Sequence, residues 1–122
     1  MTASSISSNA AVRSDRASQK EAIAMKTYTG TRAFEGLDVR VGGDPLDPRT
    51  DLKTYSKNGF EWSFEGASPQ QLALAILADA IDDATAVRLS RDFMIEIVAN
   101  FDNDWEMTEA DVKAAVKALE RA

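Results

Sequence analysis

The chain contains neither cysteine nor histidine. The first absence excludes disulfides, thiolate zinc sites and a cysteine nucleophile. The second removes the commonest general base and the commonest transition-metal ligand. Nowhere does an apolar run approach the roughly 20 residues of a membrane-spanning helix, so no membrane partner is expected. Any reaction would have to rest on carboxylates, lysine, tyrosine or hydroxyls. In a chain of 122 residues, with room for one core, that points to binding and away from catalysis. No catalytic residue, metal or cofactor is expected.

Basic residues are scarce in the second half. Residues 61–122 carry five Lys/Arg against thirteen Asp/Glu, a net of −8, whereas residues 1–60 carry nine against seven, a net of +2. An acidic half of this size argues against ordinary phosphate-backbone binding, which needs Lys and Arg to replace counterions, so no direct nucleic-acid partner is expected. It suits a basic partner or a well-solvated surface.

Residues 1–25 read as a tail. Six serines fall among the first eighteen positions and large apolar residues are nearly absent. No continuous apolar core follows a basic start, so a secretory signal is not expected and the compartment is taken as cytoplasmic. Arg16 to Met25 holds the good helix formers Glu21, Ala22 and Ala24, and Met25, which opens a better-patterned segment, is a candidate alternative start. The tail is expected to be disordered or weakly helical.

Residues 26–122 read as one α+β domain, a three-stranded, mainly antiparallel sheet packed on one face by three helices. KTYTGTRA alternates around Gly30, a glycine that marks a bulge or a close approach. Leu37, Val39 and Val41 alternate with Asp38 and Arg40, which completes a hairpin. After Asn58-Gly59, the spacing of Phe60, Trp62 and Phe64 predicts a third strand with one aromatic face. Ser68 and Pro69 mark the start of a helix ending near Ile81, apolar around most of its circumference, with Gln71, Ala75, Ala78 and Asp79 on its remaining face. A second helix spans about Ala84 to Asn100, with Val87 on its buried side. Phe101 to Met107 reads as a loop. Thr108 and Asp111 resemble a capping box that opens a third helix.

The loop DNDWEMTEADVK begins like a calcium loop, but Met107 stands where glycine is needed and Lys113 where a bidentate glutamate is needed. Glu61 and Glu65 would lie roughly 6.5–7 Å apart on a strand, a spacing some glycosidases use, but a salt-bridged or solvated strand face explains them better. Together with Gln71 they are the candidates for a small-ligand or anion site at the turn before the first helix. Ten carboxylates between Asp79 and Asp111 face only Arg88 and Arg91. Of these, Asp79, Asp82, Asp83, Asp92, Glu96, Asp102, Asp104 and Glu106 are the candidate partner-binding residues, spread across the domain.

Tyr55-Ser56, Gly59-Phe60-Glu61-Trp62, Gly66 and Pro69-x-Gln71-Leu72-Ala73-Leu74-Ala75 together resemble a family of small proteins, domain of unknown function, family 6166. Tyr28-x-Gly30, Val39-x-Val41 and Trp105-x-Met107-Thr108 fit the same scheme, so the resemblance covers roughly residues 26–118. This chain departs from it at Lys57, Ser63 and Glu65, where proline, glycine and glycine are expected. The resemblance implies no enzymatic activity and hints at accessory genes of phages and plasmids. The expectation is a non-enzymatic protein of a mobile element that binds a host protein or nucleoprotein with a basic surface. Its concrete form is an anti-defence, anti-CRISPR-like inhibitor that mimics nucleic acid. The alternatives are the ligand site above, or a homodimeric structural module with Ile95 and the hairpin edge as contacts.

Overall fold

A β-hairpin opens residues 26–121, the part of the chain that the computed structural model describes; the expected tail, its short helix and Met25 lie outside the described residues. Strand β1 (Thr27–Ala33) pairs antiparallel with β2 (Gly36–Val41), Ala33 facing Gly36 across a two-residue loop of Phe34 and Glu35. Gly42 and Gly43, with φ of 59° and 90°, turn the chain into the two-residue strand β3 (Asp44–Pro45). The left-handed region is open to glycine at no steric cost.

The fourth strand is a correction to the three expected. Trp105–Thr108, read from sequence as the end of a loop and the cap of the third helix, forms β4 and pairs antiparallel with β1, giving the order β3-β2-β1-β4. Residues 60–65, expected as a strand, run as irregular chain. Ser63 explains this: its φ of 78° breaks the extended alternation, while its N–H donates to the Val98 carbonyl and its hydroxyl to the Phe101 carbonyl. The aromatic row is therefore split. Trp62 is fully buried, Phe60 is half-buried and Phe64 stands half exposed.

Gly30 and Trp105 are directly opposed in the β1–β4 register. A Cβ on Gly30 would sit 2.1 Å from the Trp105 indole nitrogen, so the indole lies where a side chain would be. Trp105 is held there by Phe101, stacked at 4.4 Å, and by Trp62, edge-on at 5.9 Å. Its buried N–H has no hydrogen-bond partner among the described residues, which ring packing must outweigh.

Tyr28, Val39 and Trp105 point into the core, while Thr31, Asp38, Arg40 and Glu106 lie on the exposed side of the sheet. The inner face meets helix α1 (Ala67–Ala80), in which Leu72 through Leu77 are all fully buried. Each large aliphatic among them contributes about 1.5–3 kcal/mol of transfer free energy. Even the face expected to be free is covered, because Gln71 and Ala75 are buried too. Ser68 is not the N-cap; Gly66 is, and the Ser68 hydroxyl lies 2.7 Å from that of Ser56. Pro69 falls third in the helix, still in the first turn where no intrahelical acceptor awaits its N–H.

Helix α2 (Asp83–Glu96) is capped by Asp82, whose carboxylate accepts the Thr85 N–H at 2.7 Å. It ends four residues earlier than expected, giving way to a 3₁₀ turn at Val98–Asn100, and Val87 is exposed on it. Helix α3 (Glu109–Arg121) begins with the anticipated reciprocal box, Thr108 N–H to Asp111 and Asp111 N–H to the Thr108 hydroxyl at 3.0 and 3.1 Å. No helix among the described residues is long and apolar enough to cross a membrane.

Substituting Gly30→Ala should cost about 1–3 kcal/mol in urea denaturation, the range for overpacking a well-filled core. Adding Trp105→Leu should recover part of the loss specific to the clash. An unchanged unfolding midpoint for Gly30→Ala would refute the contact.

Candidate functional site

Two polar side chains tie distant segments together. Arg32, at an inward position of β1, pairs with Glu61 at 2.9 Å, donates to the Trp62 carbonyl at 2.9 Å and to the Asn103 side chain at 3.1 Å. Its guanidinium lies 4.8 Å from the Trp62 ring, and its backbone N–H donates to Asp104. Five donors in a rigid fork suit arginine to such a junction. It was not singled out from sequence; the signal that could have found it is its place as third member of the Tyr28, Gly30, Arg32 alternation.

Gln71 is the second tie. Its carbonyl oxygen accepts the N–H groups of Tyr55 and Ser56 at 2.7 and 3.2 Å, and its amide nitrogen donates to the carbonyls of Pro48 and Lys53 at 2.7 and 3.0 Å. That is the full hydrogen-bonding capacity of a primary amide. Of the three ligand candidates, Gln71 is thus committed to the chain's own backbone, Glu61 to Arg32, and Glu65 stands exposed without a partner among the described residues. The strand that would have aligned Glu61 with Glu65 does not form.

The eight partner-binding candidates fall into several separate places. Asp79 accepts the Tyr28 hydroxyl at 2.7 Å and faces Lys26 at 3.3 Å. Asp82 caps α2, and the Thr85 N–H it accepts holds its carboxyl below the ordinary range. Asp83 meets Arg49, which also binds Asp51; the Arg49 hydrogen bond likewise lowers Asp51. Asp104 serves the backbone of Arg32. These four have local structural partners. The carboxylates of Asp92, Glu96, Asp102 and Glu106 are exposed and meet no cation among the described residues. Glu106 lies on the open face of the sheet, away from the two on α2. Among the described residues no three acidic side chains gather as a metal site.

Asp92 and Glu96 edge a groove of about 560 Å³ between α2 and α3, with Ile95, Ile97, Ala115 and Leu119 on its walls. From sequence, Ile95 was named only as a contact of a homodimeric module. What the sequence did not show is that the two helices leave these side chains half-buried beside one opening. A second, more open groove of about 580 Å³ lies beside the start of α1, lined by Lys57, Asn58, Phe64 and Ser68 among others.

The segment from Tyr55 to Leu77 thus holds the buried Trp62, the Gln71 tie and the central helix, and it coincides with the residues that carry the family resemblance. Residues 28–118 match the Family of unknown function (DUF6166). The chain belongs to that family. No curated protein and no solved structure matches it. In this DUF6166 chain the serine at position 63, where the family pattern leads one to expect glycine, has a φ of 78°. That is the left-handed region, which glycine enters at no steric cost.

Removing the Gln71 amide by Gln71→Ala should leave two N–H groups and two carbonyls unpaired. At about 1–3 kcal/mol for each buried group left unmet, urea unfolding should show a loss above about 3 kcal/mol. Gln70→Ala, which loses a single bond to Ser90, should cost about 1 kcal/mol. Equal losses for the two would contradict the tie.

A pH dependence also follows from Tyr28. Burial, then the hydrogen bond to Asp79, raises its pKa far above the ordinary value. Its contribution to stability is therefore fully present below about pH 10, the unfolded value, and is lost as pH rises through the folded one. Tyrosinate absorbance from Tyr28 should appear only with unfolding, and Tyr28→Phe should remove that late step. Ionisation of Tyr28 in the still-folded protein near the ordinary tyrosine value would contradict it.

Proposed function

We propose that this chain is a non-enzymatic accessory protein of a phage or mobile element that binds a basic surface of a host macromolecular complex. The concrete form of the reading is an anti-defence inhibitor whose carboxylates compete with nucleic acid for a basic groove. One observation supports it above the others: Asp92, Glu96 and Asp102 are exposed and meet no cation among the described residues. Acidic side chains built only to hold the fold have partners here, as Asp79, Asp82, Asp83 and Asp104 do. Dispersed, un-neutralised carboxylates set up a negative potential that steers a cationic partner and weakens with salt.

The test is competition. The protein should displace a labelled oligonucleotide from a basic nucleoprotein of a host defence system, with affinity that falls as salt rises. Reversing Asp92, Glu96 and Asp102 to lysine should lower affinity at least about tenfold, more than 1.4 kcal/mol, while thermal unfolding stays cooperative. Salt-independent binding, or no displacement from any of a panel of such complexes, would overturn the proposal.

A further inference from the structure

We infer that the groove between α2 and α3 is a receptor for an amphipathic helix of a partner protein. Apolar side chains of that helix enter the groove, and its lysines or arginines meet Asp92 and Glu96. The inference rests on the binding role proposed above and gives that role a location and a ligand chemistry.

The walls are incomplete as they stand. Helix α3 fully buries only Val112 and Val116, leaving Ala115 and Leu119 half-buried along the adjoining row. Across the opening, Ile95 and Ile97 are half-buried as well. Ala115 and Ala118 contribute little bulk, and the resulting volume of about 560 Å³ lies within the range of natural ligand pockets. Positions 92, 95 and 96 on one wall and 115, 118 and 119 on the other follow the three- and four-residue spacing of helix ridges. A third helix can seat its own ridge between two such rows.

The charges identify what kind of helix fits. Asp92 and Glu96 are four residues apart on α2, a like-charge pairing that weakens an isolated helix. Glu96 also ends α2, where the helix dipole disfavours negative charge, and the last turn holds no basic residue. Neither meets a cation among the described residues. Two carboxylates placed against local helix preference, on the lip of an apolar groove, are complementary to a cationic amphipathic segment. Arg88, one turn before Asp92, is already paired with Glu120 at 2.7 Å and does not neutralise them.

The experiment uses the full chain with labelled methyl groups and two synthetic helical peptides. They share one leucine stripe and differ in carrying lysines or glutamates on its flanks. The lysine peptide should shift the methyl signals of Ile95, Ile97 and Leu119 and bind at least about tenfold more tightly than the glutamate peptide. The double change Asp92→Lys and Glu96→Lys should reverse that preference. Leu119→Ser should weaken the lysine peptide about tenfold without altering charge; Ala118→Arg, at an exposed position, should do the same with no demand on the core.

Equal binding of both peptides, shifts confined to other surfaces, or no binding would overturn the inference. So would self-association that depends on concentration and disappears with Ile95→Glu, since a second copy would then be the occupant. The lack of native cysteine allows one spin label at Ser14→Cys. Broadening of the groove methyls in the free protein would assign the groove to the chain's own N-terminal segment, which also overturns the inference. If Ala118→Arg and Leu119→Ser leave competition at the nucleoprotein intact while charge reversal abolishes it, the groove fails and the electrostatic reading stands. If the lysine peptide binds but no nucleoprotein does, the reverse holds.

Discussion

Trp105 occupies the space that a side chain at position 30 would fill, and much of the domain is arranged around that one contact. It makes the short strand β4 a partner of β1, because the ring reaches the core only if Trp105 stands opposite Gly30. It gives Phe101 a surface to stack on and Trp62 an edge to meet. With β4 beside β1, the segment around Trp62 is held by bonds to the 98–103 turn. A glycine in a strand carries a conformational cost. Here an aromatic ring covers the bare backbone and offsets it.

Around this centre the fold is closed by side chains that satisfy backbone groups. A loop carries polar N–H and C=O groups that must find partners wherever it is buried. Gln71 answers four of them at once, fastening residues 48–56 over α1. Arg32 does the corresponding work for the 61–62 and 103–104 segments. Asp82 and the Thr108–Asp111 box close the starts of α2 and α3. Of these residues Gln71 and Thr108 belong to the family pattern, whose best-marked stretch also supplies the buried Trp62 and the central helix.

The acidic residues divide along the same line. Those with partners lie at caps and junctions, where a carboxylate lowers the energy of a nearby N–H or cation. Those that meet no cation among the described residues include Asp92 and Glu96 on α2, which oppose each other, and Glu96 also opposes the helix dipole. Local conflict of this kind within an otherwise consistent fold supports the binding role proposed for this surface. Its position on the lip of an apolar groove joins the charge of the second half of the chain to a specific place.

Periodicity alone determined the α+β class, the first hairpin, the three helices and the capping box, because these depend on contacts a few residues apart. The glycine at position 30 was legible as a close approach, though not as an approach by Trp105. Phe60, Trp62 and Phe64 alternate as a strand would, yet a left-handed Ser63 and two bonds to the 98–101 turn overrule the pattern. The four residues from Trp105 to Thr108 were too short to stand out, since a strand of that length is defined by its neighbour. The division of the carboxylates depended likewise on partners such as Lys26 for Asp79 and Arg49 for Asp83, far away in sequence. The sequence determined which residues are acidic, apolar or turn-forming. Only the tertiary structure decided which acids are neutralised and which apolar rows stay open, because both depend on what the folded chain brings alongside them.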